Sequence, residues 1–462
     1  MTMSRPRRLW HSSTASRSVE PTAGLSRNRQ ILWLTAEGLS IAGDHVFYLA
    51  LGWIAVSRYG PSGLGWILAA GALPRGILML IGGAFADRVG PLRLTILSDI
   101  SRAATLATLC ALIWANGPSF PLLIVLAVIF GLADAIYYPA SGSLPSLFVP
   151  SDQVVRIQNV RNLLNRLALV TGAPLGGVLV AWAGPTLPFL LDAATFLLCA
   201  IALLACRSHA LRVAPSVDKH VESRGSGVLA DLRSGLSYVR RRPALVMPLV
   251  AAGLFEFATG GVINVGLPSI ASARTWGSSG LGMLEAGLGA GACTVALTLS
   301  LVPGLAEPKR IYIAAGVTIA SALLTLAGAT GLALAIAATA VLGCGAGAIA
   351  GAVLPQLQNN TPASHIGRVM SMFYFLTAGL APISLAAMAA LIDTTTIVTG
   401  LTAAAVTAAC AAATGYLGTR AANPTTDAVP EGATAVQPAH EQRLAASDTP
   451  KCVFLICELV SR

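Results

Sequence analysis

Twelve apolar runs of 20 or more residues follow one another along this chain. A helix needs about 20 apolar residues to cross some 30 Å of hydrocarbon. Because lipid offers no hydrogen-bond partners to the backbone, each run must satisfy its backbone hydrogen bonds internally by forming a helix. The sequence therefore predicts an all-α polytopic membrane protein. The runs lie near residues 31–57, 64–86, 94–115, 121–148, 158–182, 187–206, 244–271, 281–303, 311–330, 332–355, 369–392 and 395–418.

The composition excludes a water-soluble protein. Apolar residues (AVILMFWYC) make up 55% of the chain and charged residues 11%, against about 25% charged in soluble proteins. The net charge of +10 does not indicate a nucleic-acid partner, because such binding needs basic side chains clustered on a folded soluble domain. The 8 cysteines include no pair with CxxC spacing, so we predict neither a metal site nor a disulfide framework.

The runs divide into six plus six. A long polar stretch separates the sixth from the seventh, and a Pro/Ala/Thr-rich segment that cannot bury a core follows the twelfth. The predicted organisation is a cytoplasmic N-terminal tail at 1–30, a six-helix bundle at 31–206, a cytoplasmic central loop at 207–243, a second six-helix bundle at 244–418 and a disordered cytoplasmic tail at 419–462.

A short motif recurs at the ends of the fourth and tenth spans. Leu144-Pro145 and Leu354-Pro355 are each followed by a further proline and, six residues after that proline, by Arg156 or Arg368. Internal duplication is typical of transporter folds. We therefore predict two pseudo-symmetric bundles, with substrate and coupling sites between them.

The distribution of lysine and arginine predicts the orientation, because cytoplasmic loops hold the excess. With the N-terminus inside, 26 of the 30 basic residues fall on the inner side and two in outer loops. Arg75 and Arg102 lie within spans. The expected location is the cytoplasmic membrane, crossed many times, with both termini in the cytoplasm.

Several local motifs point to one transporter family. The loop after the second span, from Gly83 to Arg93, is similar to GxxxDRxGRR, and the third span opens with SDxxRA at Ser98–Ala103. The central loop contains DLRxGLxYVxRRP at Asp231–Pro243. Over residues 28–418 the chain resembles the major facilitator superfamily, specifically its twelve-span macrolide and siderophore exporters. The resemblance implies the major facilitator fold and drug:proton antiport, with the proton gradient as energy source and no cofactor.

The resemblance also implies two functional motifs. The first is a cytoplasmic gate, whose state-dependent contacts would form at Gly83, Asp87, Arg88, Gly90 and Arg93. The second is an antiporter-like motif in the fifth span, formed by Gly172, Pro174, Gly176 and Gly177, with the proline one place later than in the exporter pattern GPxxGG. The fourth span lacks the RxxQG pattern, and Asp134 is its only charge, which argues against an arginine-assisted proton relay.

Acidic residues deep in apolar spans are costly and usually functional. Asp44 and Glu256 lie near the middle of the first and seventh spans, at equivalent places in the two halves. With Asp134 and Glu37 they form the predicted proton-coupling set. Asp99 and Arg102, spaced i, i+3, are predicted to form an intramembrane ion pair. His45, beside Asp44, fits polar packing and a relay equally well, and Asp192 and Glu285, nearer the outer ends, are interpreted as structural residues.

Aromatic residues accompany these acids and suit a largely apolar ligand cavity. Considered alone, each of these aromatic residues fits packing or lipid contact better than it fits contact with a ligand. The predicted lining residues are Phe47, Tyr48, Tyr137, Tyr138, Phe255, Phe257, Phe373 and Tyr374.

These features predict a monomeric secondary transporter that exports amphipathic small molecules, such as drugs, antibiotics or natural products, by proton-coupled alternating access. Its partners would be that substrate, protons and the lipid bilayer. One alternative is a siderophore or metabolite transporter of the same fold with different coupling. A non-transporting sensor and a membrane enzyme are further alternatives, although no HExxH or GxSxG motif supports an enzyme.

Overall fold

A computed structural model describes residues 25–150, 152–213, 239–240, 242–301, 307–362 and 366–421. All regular structure in these residues is helical. Most of the predicted N-terminal tail and central loop, and nearly all of the predicted C-terminal tail, lie outside the described residues. The organisation proposed for those segments stays a prediction.

The first helix holds two spans. It runs over Arg27–Val89, 63 residues, and at 1.5 Å per residue a straight helix of this length would measure about 95 Å. Gly60 interrupts it with φ 68° and ψ −175°. Glycine adopts positive φ without the steric cost that a β-carbon imposes. The chain reverses there, and Pro61 begins the second span at a position where its missing N–H costs nothing.

Eleven helical segments in the described part of the chain are long and apolar enough to cross a membrane. The first of them contains two spans, so the predicted twelve are present. The sixth helix extends past its predicted end at 206. After the first helix, the helices are Pro91–Asn116, Phe120–Gly142, Leu144–Phe148, Val154–Ala183, Thr186–Val213, Pro243–Gly261 with a π-helical turn Val262–Gly266 leading into Leu267–Ala273, Gly277–Leu301, Pro308–Gly328, Leu332–Asn359, Ile366–Thr394 and Ile397–Ala421.

The spans pack in the same pairs in both halves. The first packs on the fifth and sixth, the second and third on the fourth, and the third on the sixth. The seventh packs on the eleventh and twelfth, the eighth and ninth on the tenth, and the ninth on the twelfth. This recurrence confirms the two pseudo-symmetric six-helix bundles.

The most extensive contacts between the two bundles are those of the second span with the eleventh and of the fifth with the eighth. Ser278 Oγ donates a hydrogen bond to the Gly177 carbonyl at 2.9 Å. A β-carbon on Gly282 would lie 2.7 Å from the Ala173 carbonyl oxygen. We call the face where the first helix begins and the last ends the terminal face. We call the other face of the protein the opposite face, and the contacts of Ser278 and Gly282 lie toward it.

Candidate functional site

A buried arginine organises the centre of the N-terminal bundle. The Arg102 side chain is 1% exposed, and its Nη2 lies 3.3 Å from Asp99 Oδ1. Its Nη1 lies 3.4 Å from Asp134 Oδ1 and 3.8 Å from Asp44 Oδ1. Three acids singled out in the sequence, from the first, third and fourth spans, thus share one guanidinium. Such pairing offsets the cost of burying charge within the membrane.

Two aromatic rings complete the surroundings of Arg102. Its Cζ lies 4.1 Å from the centroid of the Tyr137 ring and 4.5 Å from that of Phe196. Both distances suit cation–π attraction, which is strongest for desolvated cations. The rings hold the guanidinium in place from sides that the carboxylates do not cover.

A second arginine and a tyrosine reach Asp134. Arg75 Nη1, from the second span, lies 3.5 Å from Asp134 Oδ2, and Tyr48 Oη donates a hydrogen bond to the same oxygen at 2.9 Å. Asp134 is the only charged residue of the fourth span, yet two guanidinium groups from other spans contact it. Arg75 and Arg102 approach from neighbouring helices, so no arginine in the fourth span is required.

Asp192 lies beside this cluster, although the sequence suggested a structural position nearer the outer end. It is fully buried, and Thr195 Oγ1 donates to its Oδ1 at 3.1 Å. Its Oδ2 has no hydrogen-bond partner among the described residues. The carboxylate packs against Gly43, next to Asp44. With four aspartates and two arginines, the cluster has more carboxylates than counter-charges and so has capacity for protons.

Glu37 is separate from this cluster. It forms an ion pair with Arg161 of the fifth helix, and its side chain is 3% exposed. One turn before Arg161, Gln158 accepts a further hydrogen bond from the same guanidinium at 3.3 Å. The pair joins two helices nearer the terminal face than Asp44. Its predicted part in proton coupling remains a prediction.

Two cavities lie between the halves. One, of about 140 Å³, is lined by Arg75 from the N-terminal half and Glu256 from the C-terminal half. The other, of about 210 Å³, is lined by His45 and Glu285. Tyr48, Leu68 and Asn264 line both of them. Asp44 is outside both linings, but His45 and Tyr48 on the same helix line them.

Two of the eight predicted aromatic residues line these cavities. Phe47 lines the first cavity and stacks on Phe130 at 4.3 Å between centroids, and Tyr48 lines both cavities. Phe255 packs in the hydrophobic core instead, because its face of the seventh helix meets other helices. The predicted residues that line neither cavity are Tyr137, Tyr138, Phe255, Phe257, Phe373 and Tyr374.

The antiporter-like motif lies where the fifth helix packs against two others. A β-carbon on Gly172 would lie 2.8 Å from the Ala42 carbonyl oxygen of the first helix, and one on Gly177 would lie 2.5 Å from the Ser278 carbonyl oxygen of the eighth. Gly176 meets Val46, and Pro174 meets Gly282. The motif therefore fits the fifth helix closely between its own bundle and the other one.

The predicted gate is described only in part. The first helix continues to Val89, Gly90 turns the chain with φ 96°, and the third span begins at Pro91. Arg93 is exposed. The side chains of Asp87 and Arg88, and the surroundings of Gly83, lie outside the described residues, so the gate stays a prediction.

Arg75 and Glu285 are, with Asp192, charged residues of the site to which the sequence reasoning gave no functional role. Each is a charged residue inside an apolar span. The free-energy cost of placing a charge there was the only signal that the sequence offered. For Arg75 the signal pointed to an acidic partner on a neighbouring helix. Glu285 was interpreted as structural because of its distance from the predicted midplane, and the structure places it in the lining of the second cavity.

Comparison with known proteins gives a consistent family. The sequence model of the Major Facilitator Superfamily matches residues 34–386. The multidrug efflux pump Tap of Mycobacterium tuberculosis (strain ATCC 25618 / H37Rv) is 27% identical over 221 residues, 46% of this chain and 51% of that protein. The chain thus spans about half the length of this curated relative. Tap of Mycolicibacterium fortuitum is 25% identical over 370 residues, 78% of this chain and 88% of that protein.

Solved structures show the same fold at low identity. The nucleoside transporter NupG has a TM-score of 0.64 at 11% identity, covering 85% of this chain and 99% of NupG. A bacterial homologue of the human lysosomal transporter Spinster, solved in an inward-facing and unoccupied conformation, has a TM-score of 0.60 at 14% identity, covering 86% of this chain and 98% of that one.

Proposed function

Because the chain belongs to the Major Facilitator Superfamily and is an integral membrane transporter, we propose that it exports amphipathic small molecules in exchange for protons. The Tap relatives support multidrug efflux as the class of activity. The largely apolar cavities between the halves, with few polar side chains, suit such ligands. We further propose that it acts as a monomer in the cytoplasmic membrane with both termini in the cytoplasm, from the asymmetry of lysine and arginine.

One observation carries the coupling proposal. Tyr48 and Arg75 both contact Asp134 and both line the cavity that Glu256 also lines. A ligand in that cavity would therefore touch the groups that hold the carboxylate. Any ligand that draws Tyr48 or Arg75 away changes the balance of charge around Asp134, and with it the proton occupancy of the cluster.

Within the cluster we assign the principal coupling role to Asp44, as the sequence predicts, with Asp134 as its neighbour on the shared guanidinium. Asp44 is 23% exposed, whereas Asp99 is fully buried, so Asp44 is the better placed to exchange protons with water. Proton binding to Asp44 weakens its attraction to Arg102. The freed guanidinium charge then turns to Asp134, which links protonation to the side chains that line the cavity. Glu256 meets the ligand from the other half.

The test is transport by purified protein in proteoliposomes with an imposed pH gradient, using ethidium as substrate. The parent should accumulate ethidium against its gradient and stop when a protonophore is added. Asp44→Asn should abolish uphill transport, and Glu256→Gln should reduce it to the same or a smaller extent. Asp393→Asn, an exposed aspartate in the eleventh helix, is the matched control and should transport like the parent.

Uphill transport by the parent that ignores the protonophore would contradict proton coupling. Protonophore-sensitive uphill transport by Asp44→Asn would leave coupling in place and reassign it, first to Asp134 and then to Glu37. The amount of each variant in the vesicles is measured beside the rate, so that poor insertion is not mistaken for lost coupling.

A further inference from the structure

The cavity of about 210 Å³ is chemically different from the Arg102 cluster. Glu285 of the eighth helix and His45 of the first line it from opposite halves of the protein. The residues that line it include no lysine or arginine. Among the described residues, Glu285 also takes part in no ion pair. Its carboxylate thus lacks the compensation that Asp44, Asp99 and Asp134 receive.

A local irregularity of the seventh span brings a second polar group to the same place. The π-helical turn Val262–Gly266 inserts one extra residue per turn, and such turns are frequent at functional sites. Ser384 of the eleventh helix secures its start, since Ser384 Oγ accepts from the Gly261 N–H at 2.8 Å and donates to the Phe257 carbonyl at 2.6 Å. The turn presents Ile263 and Asn264 to the cavity.

Each polar side chain that lines this cavity offers at least one acceptor atom. Asn264 Nδ2 donates to the Gly260 carbonyl at 2.9 Å, which leaves the amide oxygen as the acceptor of that side chain. Neutral His45 adds a ring nitrogen that accepts. Leu49, Leu281 and Leu288 supply apolar surface around them. A carboxylate among acceptors and leucines matches a ligand that carries a positive charge on an apolar body.

We propose that this cavity binds the charged group of a lipophilic organic cation, with Glu285 as its counter-charge. Glu285 is half-buried. Removing a carboxylate from water without a partner is costly, and a ligand cation would lower that cost at the moment of binding. The ligand's apolar body would extend past Tyr48 and Leu68 toward the first cavity, where Arg75 disfavours a second positive charge. The inference rests on the proposed export function and names the class of ligand.

The experiment compares two probes of similar shape and different charge. Binding of tetraphenylphosphonium, a permanent cation, and of triphenylphosphine oxide, which is neutral, is measured on the purified full-length protein in detergent. Glu285→Gln should weaken tetraphenylphosphonium binding about tenfold and leave the neutral probe within about twofold, and Glu285→Asp should retain most of the affinity. Glu307→Gln, an exposed glutamate in the same half, is the control and should bind both probes like the parent.

Three results would overturn the inference: no tetraphenylphosphonium binding by the parent, unchanged affinity in Glu285→Gln, or an equal loss for both probes, which would indicate packing. Monodisperse elution of each variant checks that it is folded. Binding in detergent needs no proton gradient, so the two proposals can fail separately. Glu285-dependent binding without uphill transport would refute the export function alone, and protonophore-sensitive export with Glu285-independent binding would refute this inference alone.

Discussion

The two halves of the protein share one packing scheme and differ in charge. In the N-terminal half, Arg75 and Arg102 contact aspartates from the first, third and fourth spans. In the described spans of the C-terminal half, Glu256 and Glu285 line cavities and form no ion pair. The common helix contacts fit the duplication that the sequence repeat predicts, whereas the charged residues of the two halves differ. From this difference we expect proton handling mainly in the N-terminal half and recognition of ligand charge by the glutamates of the C-terminal half.

The largest effect should follow from removing the arginine at the centre of the N-terminal cluster. Arg102→Ala leaves three carboxylates around an empty site, and breaking a buried ion pair costs about 3–5 kcal/mol. We expect a lower unfolding temperature in detergent and no transport. The measurements are thermal unfolding followed by Trp fluorescence and ethidium transport in proteoliposomes.

Arg274→Ala in the C-terminal half is the control for that substitution, because Arg274 is exposed at the opposite face. Its unfolding temperature and transport rate should match those of the parent. If Arg102→Ala were as stable as Arg274→Ala, the cluster would not be held by its central guanidinium, and the charge difference between the halves would lose its structural meaning.

The next effect concerns the contact between the halves rather than their charges. Gly177→Val places a branched side chain against the Ser278 carbonyl, to which even a β-carbon would be 2.5 Å away. Because backbone atoms cannot yield as a flexible side chain does, the fifth and eighth helices should separate at the opposite face. We expect about a tenfold lower transport rate, equivalent to about 1.4 kcal/mol, and faster cysteine labelling from that face.

Gly328→Ala serves as the control for Gly177→Val, since nothing lies within 4 Å of a β-carbon added at Gly328. It should label and transport like the parent. Unchanged labelling in Gly177→Val would mean that the helices accommodate the side chain without separating, and the glycine would then have no part in closing that face.

The fold was largely predictable because its cause is local. Each span is an apolar run that must satisfy its own backbone, and the repeat of Leu144-Pro145 at Leu354-Pro355 indicated the duplication. The site was predictable only as a set of acids. Which acid meets Arg75 or Arg102 depends on how helices rotate against one another, and spacing within one helix does not determine that. The pair Asp99 and Arg102 was the exception, since both lie on one helix.

A matched pair of tyrosines sharpens the comparison of the halves. Tyr48 Oη donates to Asp134 in the N-terminal half, and Tyr312 Oη donates to Gln356 Oε1 in the C-terminal half, each at 2.9 Å. Tyr48→Phe leaves Asp134 with its two arginines, so stability should fall by about 1 kcal/mol or less while transport falls severalfold. Tyr312→Phe leaves a buried amide oxygen without a donor, which costs about 1–3 kcal/mol, and should spare transport.

Thermal unfolding and ethidium transport, measured on both variants, give the two readouts. We expect opposite rankings in the two measurements: Tyr48→Phe should lose more transport, and Tyr312→Phe should lose more stability. Equal transport losses would show that the C-terminal half also carries coupling through its buried hydrogen bonds, and the division of roles would have to be abandoned.

The smallest effects should come from a pair of glutamates, one in each half. Glu37 is buried and forms an ion pair with Arg161, and its Oε2 has no partner among the described residues. Glu37→Gln therefore keeps an acceptor for Arg161 and removes an unpaired charged oxygen. The two changes partly cancel, and we expect the free energy of unfolding to fall by about 1 kcal/mol.

Glu307 lies 2.9 Å from Arg310, but their side chains are 47% and 85% exposed. Water and salt screen such pairs, so Glu307→Gln should change stability by about 0.5 kcal/mol or less. Unfolding at low and high salt distinguishes them: added salt should diminish only the effect of Glu307→Gln. A salt-sensitive effect of Glu37→Gln would mean that water reaches its ion pair, and the contrast between a buried and an exposed charge would not apply to it.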